Sequence, residues 1–158
     1  MQLTVRLNVF VVLAMVVGLL GPTQRAEAGS KDPATILAQC IDEMGVAANV
    51  AADEMDAIAA EADEEIEALY FDSVPISRLF RAAAGFVSRV EKVESKAQSK
   101  LTKIANKYRA RLQRVGADQS FIDDLDSALD DDSEVVGLAF FQSVTSIEGS
   151  LEDWVFPL

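Results

Sequence analysis

The side chains best able to do chemistry here are carboxylates, and the densest group is Asp123, Asp124, Asp126, Asp130, Asp131, Asp132 and Glu134. Acids this close suggest calcium, but an EF-hand loop wants acids at positions 1, 3 and 5, Gly at 6 and Glu at 12. Counting from Asp124 puts Ala128 and Leu129 where a ligand and the glycine should stand, and counting from Asp130 fails too. The simpler role is capping two helices and solvating the turn between them. Glu61, Glu64 and Glu65 have helical spacing, yet di-metal bundles add Glu-x-x-His to such a pattern, and the chain has no histidine. That absence also removes Ser-His-Asp and Cys-His catalysis. The eight glycines are scattered, with no phosphate-binding spacing. No catalytic, cofactor-binding or metal residue is assigned, and no cofactor is expected.

Cys40 is the single cysteine, so no intramolecular disulfide can form. It borders apolar positions Leu37, Ile41 and Met44, where a cysteine acts as a small buried apolar residue.

Residues 1–28 read as a cleaved secretory signal peptide: Arg6, an apolar run from Leu7 to Gly21, then Ala26-Glu27-Ala28. The run is shorter than the ~20 residues that span a bilayer. The expectation is export, to the periplasm or outside the cell, without stable membrane insertion afterwards. Residues 29–158 then form a single helical domain. The full chain carries 14 basic and 26 acidic groups, net −12, and loss of Arg6, Arg25 and Glu27 takes the net to −13. Such a charge repels nucleic acid and anionic lipid.

Two long helices must supply the frame. Asp32-Pro33 opens the first (33–71) with a cap and a proline at the first helical position. Its apolar seam steps through 37, 41, 44, 48, 51, 55, 58 and 62 in a heptad rhythm, then slips to 66 and 69. The second (74–115) starts near Val74-Pro75 with Asp72 or Ser73 as cap. Its seam runs from 76 and 79 through to 112 and 115, and Gly116 follows as a terminal glycine. Residues whose numbers add to 145 pair apolar with apolar: Ile41 with Ile104, Met55 with Val90, Ala48 with Ala97, Leu69 with Ile76. Residues 32–71 hold eleven acids and no base; 75–115 hold eleven bases and only Glu91 and Glu94 as acids. The same mirror sets Glu64, Glu65 and Glu67 near Arg78 and Arg81, and Asp42 and Glu43 near Lys100 and Lys103. The expected fold class is therefore all-α: a long antiparallel αα-hairpin, coiled-coil-like, carrying two or three short C-terminal helices.

Those short helices fall in an acidic stretch, 116–158, at 121–130, from 133 to about 147, and at 151–155. The middle one is apolar around most of its circumference and should be buried. The uncharged flank from Gly45 to Ala52, with Val46 and Val50, and the outward Phe80 and Val87 are surfaces such helices would cover in part. Trp154, Phe156 and Leu158 form an apolar tail expected to pack on its own domain. The functional expectation is an exported, non-catalytic structural or protein-interaction module, meeting a protein partner or a second copy. The alternative is an acidic cation-binding or buffering protein of the cell envelope.

Overall fold

A computed structural model describes residues 32–155, so the signal segment lies outside the described residues. They form three helices of nearly equal length: α1 (Pro33–Phe71), α2 (Ile76–Arg114) and α3 (Gln119–Val155). Each helix packs on both others, and there are no strands among the described residues. At ~1.5 Å per residue the bundle is about 58 Å long.

The helix ends explain the short connections. The Asp32 carboxylate accepts from the Thr35 amide (3.0 Å) and hydroxyl (2.6 Å), closing the α1 N-terminus. At the other end the Ser73 amide donates to the Tyr70 carbonyl, and the Val74 amide reaches back to that of Leu69. This six-to-one closure needs a left-handed residue, and Ser73 supplies it at φ 54°. Asp72 and Ser73 thus finish α1 and do not cap α2, whose cap position is Pro75 without a side-chain hydrogen bond. The same closure ends α2, with Gly116 at φ 71° and the Ala117 amide donating to Leu112.

α3 departs most from expectation. It is one 37-residue helix that runs unbroken through Asp130, Asp131, Asp132 and Ser133, where a turn was expected. No glycine or proline interrupts residues 118–136, and Asp or Ser inside a helix costs only ~0.5 kcal/mol relative to good helix formers. Against that small penalty stands one stripe that faces the core, buried at Leu125, Val136, Ala139, Ser143 and Ile147 and bridged between the first two by half-buried Ala128, Leu129 and Asp132. Breaking the helix would misalign the two halves of that stripe over the groove between α1 and α2.

The third full-length helix also rotates the seam. Ile36 and Cys40 are buried, whereas Ile41 and Ile76, expected inside, are substantially exposed. Buried positions of α1 and α2 still pair at the mirror of 145, as Met44 with Leu101, Ala48 with Ala97 and Met55 with Val90 do, but Ile41 and Ile76 drop out of it. The cross-helix ion pairs lie at a higher sum, 150. Arg89 grips Glu61 through two hydrogen bonds (2.9 and 2.7 Å), and Lys107 holds Glu43 (2.7 Å), which also accepts from the Tyr108 hydroxyl (2.8 Å). Among the described residues no ion pair joins Glu64, Glu65 or Glu67 to Arg78 or Arg81. Apolar burial thus keeps much of the mirror at 145, while the seam rotates away from Ile41 and Ile76 and the ion pairs fall outside it. The reason is that each helix must face two neighbours, so its buried stripe centres between them.

α3 is tied in by two polar contacts: Arg109 pairs with Asp126, and the Gln98 amide donates to the Ser133 carbonyl (3.1 Å). It lies against the Gly45 side of α1, where a β-carbon on Gly45 would sit 3.9 Å from the Asp132 carboxylate.

The two left-handed closures give a paired prediction. Ser73→Gly relieves a conformation that costs an L-residue about 1 kcal/mol and raises the thermal midpoint. Gly116→Ala imposes a similar penalty and lowers it. Thermal unfolding of both variants checks the opposite signs.

Candidate functional site

Cys40 sits wholly inside the bundle. Burial, with the Glu43 carboxylate nearby, pushes its thiol up to about 11. A thiol that stays protonated and out of reach is neither nucleophile nor ready redox partner.

The acidic run is spread around α3 rather than gathered. Asp126 points to α2 and pairs with Arg109, Asp123 accepts from Gln119 (3.0 Å), and Asp124, Asp130, Asp131 and Glu134 face solvent. Among the described residues no group of three or more His, Cys, Asp or Glu side chains is placed to hold a metal ion. Glu61 is taken by Arg89. Asp132 is different: it lies on the buried stripe of α3, and desolvation followed by repulsion from Asp131 raises its carboxyl above the usual range. Ser143, on the same stripe, is buried with no hydrogen-bond partner for its hydroxyl.

The apolar surfaces hold more information. Val46 and Val50 remain 58% and 56% exposed. The C-terminal helices were expected to cover part of the uncharged flank at residues 45–52; α3 packs against its Gly45 edge and leaves Val46 and Val50 outside. α3 itself is not wholly buried. Leu138 is 52% and Phe141 67% exposed, with Val135 beside them on the outward face. From Val135 to Ile147 the sequence carries no charge at all, so this face has no ions, and its exposed polar groups are the neutral Gln142, Thr145 and Ser146. The sequence pattern showed that the segment was apolar all round. It did not show that a bundle of three helices can bury only one side of it.

Between α2 and α3, towards the end of the bundle where α1 meets α2, runs an open groove of about 640 Å3. Phe80, Ala84 and Val87 of α2 and Leu151 of α3 line it, together with Glu91, Glu148 and Glu152 among others. Phe80 and Val87 were singled out from sequence as outward-facing; the structure brings them together here. The groove on the opposite edge of α2 is smaller, about 360 Å3, and there Glu54 and Glu61 stand among Arg89, Lys92 and Lys96. Trp154, Phe156 and Leu158 fall outside the described side chains.

No known protein family, curated protein or solved structure matches this chain.

The half-buried carboxyl of Asp132 predicts a pH signature. Its folded pKa is raised, so the folded state holds this proton more tightly than the unfolded chain. The group therefore destabilises the fold above that raised pKa, and the penalty disappears as pH falls below the ordinary carboxylate range. Asp132→Asn is expected to raise the melting temperature at pH 7 and to leave it unchanged in acid, measured by thermal unfolding across pH.

Proposed function

We propose that this chain is an exported, non-catalytic helical module that works by binding another protein chain, with its first two helices paired as a coiled-coil-like hairpin. The observation that carries this reading is the outward face of α3. Leu138 and Phe141 are large, half or more exposed, and set in thirteen residues without a charge, from Val135 to Ile147. The rest of the surface is rich in ions, and a chain of net charge −12 stays soluble and apart from its neighbours through that charge. An uncharged apolar face on such a protein marks where contact is made. Partner chain and second copy both fit that face, and neither requires a reactive group. A cation-buffering role gains little from the geometry, because the acids of 123–134 diverge around α3.

The test is the pair Leu138→Gln with Phe141→Ser. Both side chains point outward, so circular dichroism and thermal unfolding should stay near those of the parent. Chains from exporting cells are then compared by co-purification, and purified chains by sedimentation over a range of concentration. The parent is expected to associate, with itself or with one stoichiometric partner, and the variant to lose about tenfold or more in affinity, as expected for exposed aromatic and aliphatic anchors. Identical behaviour of parent and variant would contradict the reading.

A further inference from the structure

We infer that the groove between α2 and α3 receives a basic amphipathic helix from a partner protein, an inference that rests on the interaction reading and names the partner's chemistry. The groove follows the helix axes. Phe80, Ala84, Val87 and Glu91 step along α2 at intervals of four, three and four, and Glu148 and Glu152 repeat at four along α3. From Phe80 to Glu91 the furrow is about 16 Å long at 1.5 Å per residue, roughly three helical turns. Its floor is apolar and its volume of about 640 Å3 exceeds what one side chain fills.

Shape selects an extended occupant. The furrow is open to solvent along its length, so a small molecule would be covered on one side only, whereas ligand pockets enclose most of their guest. A helix laid lengthwise gathers contacts over three turns, inserting one apolar ridge between two neighbours as helix-in-groove partners do.

Charge selects the sign. Glu91, Glu148 and Glu152 line the groove, and no lysine or arginine does. None of the three has an ion-pair partner among the described residues. The cations of α2 next to Glu91 in sequence, Arg89 and Lys92, line the opposite edge with Glu54 and Glu61, and Arg81, next to Phe80, is not in the lining of the groove. α2 therefore presents a neutralised edge to α1 and an uncompensated acidic edge at this groove. An uncharged apolar helix would strip water from the three carboxylates without replacing its hydrogen bonds. A helix with lysine or arginine on either side of its apolar ridge would replace them. Exposed charges of this kind mainly set specificity and association rate, so binding should weaken with added salt.

The probe is a fluorescently labelled 14-residue amphipathic peptide of leucine and lysine in helical register, alongside a counterpart with glutamate for lysine. Both are titrated by anisotropy against the full chain. One-to-one binding of the lysine peptide and none of the glutamate peptide is expected. Ala84→Trp, which fills the groove from an exposed position, and the triple Glu91→Gln, Glu148→Gln, Glu152→Gln should each weaken it about tenfold. Asp42→Asn with Asp53→Asn and Asp56→Asn removes the same charge from the outer face of α1 and should leave binding unchanged. Circular dichroism confirms the fold of each variant. No binding by the parent chain, binding that survives Ala84→Trp, equal loss in the α1 triple, or equal binding of the glutamate peptide would each overturn the inference. If the groove fails while association through Leu138 and Phe141 persists, the interaction reading stands and only the groove's assignment falls.

Discussion

Everything in this bundle depends on burying three apolar stripes against one another over their full length. Two helices alone would leave part of each stripe wet, and a long thin pair buries little core per residue. α3 removes that deficit only if it is straight and as long as the groove it fills. Its 37 residues match the 39 of each partner, and its core-facing stripe runs from Leu125 to Ile147, half-buried through Ala128, Leu129 and Asp132. At ~25 cal/mol per Å2 of apolar surface removed from water, continuity of this stripe outweighs the weak helix preference of the aspartates and serines it passes through.

That requirement leaves marks along the seam. Asp132 and Ser143 occupy stripe positions although neither is apolar. One responds with a raised carboxyl pKa and the other with an unsatisfied hydroxyl. Around the seam, charge fixes register more than stability. Glu61 with Arg89 and Glu43 with Lys107 are surface pairs, individually worth ~0–1 kcal/mol. Tyr108 knits one of them to the core, its ring under Lys107 and its hydroxyl donating to Glu43. Together they penalise pairings that slide one helix past the other.

The frame was legible in the residues because its signals are local. Asp32-Pro33 starts a helix, Gly116 ends one, and the steps of three and four between them mark a face. The rotation of the faces was not, because Ile41 fits an apolar seam as convincingly on paper as Cys40 does in the fold. Only the third helix, which pulls each stripe towards the middle of two contacts, separates them. The continuity of α3 was hidden for a related reason. Asp132-Ser133 is a good cap in isolation, and local sequence does not register the long-range burial that overrides it. The apolar outer face followed from the same error, since two short helices would have had more directions in which to hide Leu138 and Phe141. The α2–α3 groove draws on residues more than sixty apart, Phe80 and Leu151 among them, and sequence supplied only half of its floor.

The surfaces left over are those a partner would use: an uncharged face on α3 and an apolar furrow with glutamates in its lining. Both exist only because α3 runs the full length of the bundle, so its continuity is the claim to test first. Native-state hydrogen exchange resolved to single amides across residues 125–140 does so directly. The account predicts unbroken protection through Asp131, Asp132, Ser133 and Glu134, comparable with that of the residues on either side. A window of fast-exchanging amides there, between two protected segments, would mean two short helices joined by a turn and would contradict it.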